Sequence, residues 1–158
     1  MSGFVATGGS TPPKIATLSN AGFWPDIELD KARDVMRFTD TVTDIRLTEA
    51  LVNAMASVNG ETDMKAWRQG KQAVGFTTLA DVPADQIDGE SVLVQHYRRA
   101  VYCFAKANLV ERYRDYDTTR EGQKKTDTLD EQPDALRRDG RFAVRDLLGR
   151  SRITVELI

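Results

Sequence analysis

The stretch that decides the fold is ESVLVQHYRRAVYCFAKANLVERYRDY, residues 90–116. Its apolar side chains recur at helical spacing and cover much of the circumference: Val94, Tyr97, Val101, Phe104 and Ala105, continuing through 110–113. A helix that is apolar on most sides lies at the centre of a bundle. The chain is therefore predicted to be mainly α, a small helical bundle built around long central helices.

The residues before this helix predict the neighbours that it packs against. A short amphipathic helix is expected over 26–38, capped near Asp30. Thr43 is placed to cap a second helix, on which Leu47, Leu51, Ala54, Met55 and Val58 form one apolar face. Asn59-Gly60 normally ends a helix, but Met64, Trp67 and Val74 continue a similar stripe. The segment 43–74 is thus either one helix weakened at Gly60 or two nearly collinear helices.

A last helix is predicted over 131–148, with Pro133 in its first turn and Gly149 just past its end. Its inner face carries Leu136, Gly140, Ala143 and Leu147. The glycine on that face implies close approach to a neighbouring helix. Helices around Val101, Phe104, Leu51 and Leu136 are expected to form the core.

Both ends of the chain differ in composition from the predicted bundle. Residues 1–22 are rich in Gly, Pro, Ser and Thr and are expected to be a flexible arm. Residues 23–150 form the predicted helical domain, and 151–158 an extended tail. The tail alternates so that Ile153, Val155 and Leu157 share one side, which is typical of a strand. Because no convincing second strand is seen elsewhere, the tail either adds to a partner's sheet or folds back.

Composition and motifs exclude several classes of function. The 158 residues carry 22 Lys and Arg against 24 Asp and Glu, a net charge of −2, which is not the charge of a dedicated DNA-binding domain. The single His96 and single Cys103 cannot form a disulfide or a Cys/His metal cluster in one subunit, and about 10 Å of helical rise separates them. No catalytic motif is found, so no enzyme, cofactor or metal is predicted. The longest apolar run, 100–105, is too short to span a bilayer, and the protein is expected to be soluble and cytoplasmic when made.

Opposite charges are separated along the chain. Residues 76–90 carry four acids and no base, whereas 137–152 carry six arginines against two aspartates. The spacing of the acids does not fit a calcium loop, and helix capping or loop solvation explains them more simply. The arginines are either solvated with scattered ion pairs, bound to DNA, or part of an interface. The residues expected to join neighbouring copies head to tail are Asp81, Asp85 and Asp88 on one side and Arg137, Arg138, Arg141 and Arg145 on the other.

Several motifs resemble one family of phage proteins. The stretch GFTTLADVPADQIDGES at 75–91 is similar to the signature loop of the head completion proteins of temperate phages with contractile tails. It is followed in the family's order by YRRAV at 97–101, LVERYR at 109–114, GQKKTD at 122–127, the helix 137–145 and the strand 153–158. The resemblance covers about residues 23–158.

The resemblance implies a structural virion protein located at the head-tail junction, or neck, and in the host cytoplasm during assembly. Such proteins form a ring beneath the portal protein after DNA packaging, dodecameric in the virion and monomeric in isolation. They help to retain the packaged double-stranded DNA that passes through the channel, and they provide a docking site for a tail-side neck or terminator protein. No membrane and no cofactor are involved.

Two segments are assigned to partners on this basis. Ile153, Val155 and Leu157 of the tail are expected to bind the portal, and Lys124 and Lys125 in the polar connection are assigned to the DNA channel. The alternative function is a free helical DNA-binding or regulatory protein that uses the arginine-rich last helix.

Overall fold

The computed structural model describes residues 16–38, 42–117 and 132–152. Within these ranges there are five α-helices: α1 (Leu29–Met36), α2 (Asp44–Gly60), α3 (Thr62–Ala73), α4 (Val92–Asp117) and α5 (Pro133–Leu147). A 3₁₀ turn spans Leu79–Asp81. Two short antiparallel pairs complete the described chain: β1 (Thr17–Leu18) with β2 (Ile27–Glu28), and β3 (Gln86–Ile87) with β4 (Glu90–Ser91). The prediction of a mainly α fold is confirmed.

Helix α4 is the centre of the bundle, as its apolar circumference predicts. It packs against α5 along much of its length and against α2 on another face. Tyr97, Val101 and Ala105 are fully buried on it, and Leu51 of α2 lies in the same core. Phe104 is half-buried against this core, whereas Leu136 of α5 belongs to a second small cluster with Ala107 and Val110.

The segment 43–74 forms two helices. Thr43 caps α2, because its hydroxyl oxygen accepts a hydrogen bond from the Arg46 N–H at 3.4 Å. Gly60 remains helical, and the break falls at Glu61, whose ψ of 137° is extended. Met64 is buried on α3 as the stripe predicts, but the prediction was wrong for Val74, which follows the end of α3 and is 70% exposed.

The segment before α1 belongs to the folded unit. Residues 16–22, which the sequence analysis places in the arm, include β1, and the Leu29 N–H donates to the Ala16 carbonyl at 2.9 Å. Because β2 occupies Ile27–Glu28, α1 begins at Leu29 rather than at residue 26. The predicted cap near Asp30 was wrong: Glu28 precedes the helix, and Asp30 lies in the first turn.

Three amide and phenol groups connect the amino-terminal segment to the bundle. The Asn20 Nδ2 donates to the Tyr97 hydroxyl at 2.8 Å, and that hydroxyl donates to Asn59 Oδ1 at 2.7 Å. Asn59 Nδ2 in turn donates to Asn20 Oδ1 at 2.8 Å, which closes the network. Trp24 stacks on the Tyr97 ring with centroids 5.1 Å apart. The chain entering β2 is therefore fixed to both α2 and α4.

The acidic loop contains a β-hairpin that the sequence analysis did not predict. Asp88 and Gly89 form its turn, both with positive φ (54° and 72°), as an Asp-Gly hairpin turn requires. Leu79 and Val82 anchor the loop in the core as expected. The expectation that Ile87 is also an anchor was wrong, because its side chain is 59% exposed on β3.

Helix α5 begins at Pro133, two residues after the predicted start, and it approaches α4 closely at Gly140. A Cβ atom at position 140 would lie 3.0 Å from Cζ of Phe104. The close approach predicted from this glycine is confirmed. Past the end of the helix, Gly149 has a φ of 68°, which reverses the chain toward residues 150–152.

Candidate functional site

The three aspartates predicted to join neighbouring copies have different environments. Asp81 Oδ2 accepts hydrogen bonds from the Thr78 hydroxyl at 2.8 Å, the Thr78 N–H at 2.9 Å and the Thr77 hydroxyl at 2.9 Å. These bonds, that from the Thr78 side chain first, lower the pKa of Asp81. With Thr78, Asp81 forms the capping box of the 3₁₀ turn, so its carboxylate already serves its own chain.

Asp85 and Asp88 are exposed on the β3–β4 hairpin and the residue run leading into it. The Asp85 carbonyl accepts from the Val92 N–H at 3.0 Å, which fixes the hairpin to the first turn of α4. The backbone rather than the carboxylate of Asp85 therefore has the structural part. Both carboxylates are left on the surface, where a second molecule can approach them.

Arg137 of α5 is bound within its own chain. Its guanidinium contacts Glu111 of α4 through two N–H groups, one at 2.5 Å, and lies 3.8 Å from Asp134. The hydrogen bond from Arg137 lowers the pKa of Glu111, and the bond to Glu111 raises that of Arg137. This two-point contact joins α5 to α4. Its structural role competes with the predicted contact to another subunit.

Most other arginines of 137–152 also meet acceptors of the same chain. The contacts are Arg138 with Asp139 at 3.2 Å, Arg145 Nε with the Ser151 carbonyl at 2.8 Å, Arg150 with Asp63, and Arg152 with Asp146. Arg141 is exposed beside Glu61 in a cleft of about 360 Å³ between α5 and the start of α3. Burial raises the pKa of Glu61, and the nearby Arg141 lowers it. The positive charge of this segment is thus largely compensated inside the monomer.

A groove of about 510 Å³, here called the α4 groove, runs between α1, the hairpin, α4 and α5. Its apolar lining includes Val35, Met36, Ile87, Tyr102 and Leu136, and Cys103 also lines it. Its charged lining is Lys31, Arg98, Arg99 and Lys106 against Asp88 and Glu90. The sequence analysis missed this groove. Its signal was present in Val35 and Ile87, two apolar residues that the patterns assign to packing and that are each 59% exposed.

The remaining predicted site residues lie outside the described ranges. These are Ile153, Val155 and Leu157 of the tail and Lys124 and Lys125 of the polar connection. Across the residues that are described, there is no group of three or more His, Cys, Asp or Glu side chains suited to hold a metal ion. In the same ranges, no helix is long and apolar enough to cross a membrane.

Comparison with known proteins identifies the family. The family model described as phage head completion protein (GPL) matches residues 18–158. The chain belongs to the phage head completion protein family. The head completion/stabilization protein of Escherichia phage P2 is 46% identical over 141 residues, which cover 89% of this chain and 82% of that relative. No solved structure matches the chain significantly.

The family explains the absence of any recognised catalytic motif. Head completion proteins are structural proteins of the phage virion and are not an enzyme family. The resemblance drawn from the loop at 75–91 is confirmed. The match begins inside β1 and runs through the tail, so this head completion protein shares with its family both the described bundle and the residues after it.

Proposed function

We propose that this head completion protein assembles as a ring on the portal after DNA packaging, helps to retain the genome, and provides the surface on which the tail docks. The observation that carries the proposal is the family match, which extends from β1 to residue 158 and includes the tail. The described helical domain supports it, because its chemistry is packing and adhesion rather than catalysis.

The proposed ring is dodecameric and lies at the neck of the virion, and the subunit is a monomer in the host cytoplasm before assembly. One side of the ring contacts the portal protein, and the other contacts a tail-side neck or terminator protein. Packaged double-stranded DNA passes through its channel, which Lys124 and Lys125 are proposed to line.

Contacts between neighbouring subunits require two different surfaces on each copy, because a ring is built from head-to-tail interfaces. The hairpin exposes Asp85 and Asp88, and the cleft beside α3 exposes Arg141. Arg138 is also exposed, and its partner Asp139 is its own neighbour. These are the charges we propose to pair between copies, with Asp81, Arg137 and Arg145 contributing less because they are bound within the monomer. Exposed pairs of this kind are weak one at a time, which agrees with a monomer that assembles only on a portal.

The portal contact is assigned to the tail, through Ile153, Val155 and Leu157. An alternating apolar strand binds either by adding to a sheet edge or by inserting into a groove. The described domain ends at residue 152, so removal of 153–158 leaves every described helix and strand intact.

Electron microscopy of purified portals mixed with the protein tests the ring and the tail separately. Full-length protein is expected to add a ring to the portal. The variant lacking 153–158 is expected to keep its helical circular dichroism and to add no ring, while Thr154→Asp, on the opposite side of the strand, serves as the matched control for Val155→Asp. Bare portals with the full-length protein overturn the ring, and rings formed without 153–158 overturn the tail assignment.

Retention of DNA is tested with virions made without the protein. We expect DNA-filled heads that lose their genome and carry no tail, with both defects corrected by the full-length protein. Heads that keep their DNA and accept tails in its absence contradict the proposal. Replacing Lys124 and Lys125 by Glu tests the channel assignment, and stable, filled heads with that variant would refute it.

A further inference from the structure

The α4 groove combines an apolar lining with an incomplete set of polar contacts. Tyr102 is only 7% exposed, yet its hydroxyl has no hydrogen-bond partner among the described residues. Leaving a buried hydroxyl without a partner is costly, so such groups are normally satisfied. Because Tyr102 also lines the groove, its hydroxyl is available to a group that enters there.

The exposed residues at the groove point to an apolar occupant. Val35 of α1 and Ile87 of β3 both line it, and each is 59% exposed. Basic residues exceed acidic ones in the lining, with Lys31, Arg98, Arg99 and Lys106 against Asp88 and Glu90. Of these, Arg98 and Glu90 form an ion pair. The groove therefore suits an apolar segment that carries a negative charge.

The end of the described chain runs back toward this groove. After Gly149 reverses the backbone, the Ser151 carbonyl accepts from Arg145 Nε at 2.8 Å. Arg152 Nε donates to Asp146 at 2.9 Å, and its guanidinium lies 5.3 Å from the centre of the Phe142 ring. Residue 152 is thus fixed beside α5, one to three turns before the helix end.

The same residues connect the chain end to α4. Arg99 is close enough to Asp146 to lower its pKa, after the larger effect of the Arg152 hydrogen bond. Arg99 itself lines the groove. Six extended residues span about 20 Å, which is enough to follow the groove over several turns of α4.

We propose that residues 153–158 of the same chain occupy the α4 groove in the free monomer. The side formed by Ile153, Val155 and Leu157 covers the apolar lining, and Glu156 meets the basic residues. Backbone groups of the segment supply the missing partner of the Tyr102 hydroxyl. The groove thereby holds the tail in a closed state.

The consequence for assembly rests on the proposed function. If the portal binds the same apolar side of the tail, it has to displace the segment from the groove. The free monomer would then withhold its portal contact until a portal competes for it, which is a population shift between a docked and a released tail.

Disulfide trapping in the isolated protein tests docking without any portal. Cys103 is the single cysteine of the chain and lines the groove, so it serves as a native reporter. Under mild oxidation of dilute protein, at least one of Ile153→Cys, Val155→Cys and Leu157→Cys is expected to form an intramolecular disulfide. Thr154→Cys, on the opposite side of the segment, is the matched control and is expected to react much less. The same variants with Cys103→Ser give the background.

Alkylation of Cys103 provides a second measurement on chains that need no new cysteine. Removing 153–158, or replacing Val155 by Asp, is expected to raise the alkylation rate about tenfold, which corresponds to a docking free energy of about 1.4 kcal/mol. Thr154→Asp is expected to leave the rate unchanged, and circular dichroism confirms folding of each variant.

The outcomes are separable from those of the portal experiment. Equal trapping at 154 and 155, no trapping at all, or unchanged alkylation after removal of the tail overturns the docking. Disulfides that form only between molecules also overturn it, because they place the tail in the groove of a second copy. A tail that docks but binds no portal leaves this inference standing and removes only the portal assignment.

Discussion

Gly140 of α5 lies directly against the aromatic ring of Phe104 of α4. A Cβ atom at position 140 would stand 3.0 Å from Cζ of Phe104 and 3.1 Å from both Cε atoms. Carbon atoms pack best at about 3.5–4.0 Å, so the two helices approach more closely here than a larger residue permits. The ring fills the space that the missing side chain leaves.

Replacing Gly140 by Ala is expected to lower the free energy of unfolding by about 1–2 kcal/mol, because the added methyl group overpacks the contact with Phe104. Urea denaturation measures this change. Gly70→Ala in α3 is the matched control, since a Cβ there meets nothing within 4 Å and alanine favours the helix by about 0.5–1 kcal/mol. Equal stabilisation by both substitutions would contradict the close contact.

Tyr97→Phe is expected to destabilise the domain by about 1–2 kcal/mol, because Asn59 Oδ1 loses its donor and Asn20 Nδ2 loses an acceptor. Tyr102→Phe provides the comparison: it removes a hydroxyl with no partner among the described residues and is expected to change stability by about 0.5 kcal/mol or less. Chemical denaturation of the two variants in parallel measures the difference. A loss confined to Tyr102→Phe would argue against the network.

The domain is expected to lose stability between pH 10 and pH 12. Burial raises the pKa of Tyr97 to about 12, whereas a tyrosine in the unfolded chain titrates near pH 10. The unfolded chain therefore loses this proton first, and the loss of stability across the interval is about 2–3 kcal/mol from this residue. Thermal unfolding of the wild type and Tyr97→Phe at several pH values measures it. Parallel curves for the two proteins would show that Tyr97 does not cause the loss.

Two kinds of aspartate in the acidic loop are expected to respond differently. Asp81→Ala removes the capping carboxylate and should destabilise the monomer by about 1 kcal/mol. Asp85→Asn and Asp88→Asn should leave stability within about 0.5 kcal/mol, because both side chains are exposed and asparagine tolerates the positive φ at 88.

Assembly on portals separates the same variants in the other direction. The two asparagine variants are expected to weaken ring formation, as added salt does, since salt screens exposed charges beyond about 8–10 Å. Counting rings on portals by electron microscopy over a salt series checks this. Ring formation that ignores both salt and the charge of Asp85 and Asp88 would refute the proposed ionic contacts.

The helices were predictable because each buries a stripe that repeats over several turns. Val101 and Leu51 are core residues for this reason, and Gly140 announced its contact by interrupting such a stripe. The break between α2 and α3 was harder to place, because Gly60 keeps a helical backbone and Glu61 departs from it. A local preference at Gly60 therefore located the break one residue early and left its nature open.

The strands and the polar network could not be read in the same way. Each strand has two residues, too few to show an alternating pattern, although Asp88-Gly89 carried a hairpin signal that went unused. Asn20, Asn59 and Tyr97 are far apart in sequence and meet only in the folded chain. The α4 groove likewise arises from residues of four separate segments, and its rim residues Val35 and Ile87 look like core residues in the sequence.

The Asn59-Gly60 dipeptide has a further consequence for the ageing of the protein. Asparagine before glycine is the sequence most prone to spontaneous deamidation, because the glycine N–H attacks the side-chain amide with little steric hindrance. In the folded chain Asn59 is held in α2, and its amide is engaged with Asn20 and Tyr97. A chain that stays unfolded long enough to deamidate returns with a carboxylate at 59, which cannot donate to Asn20. Prompt folding therefore protects the bond pattern that later holds the amino-terminal segment in place.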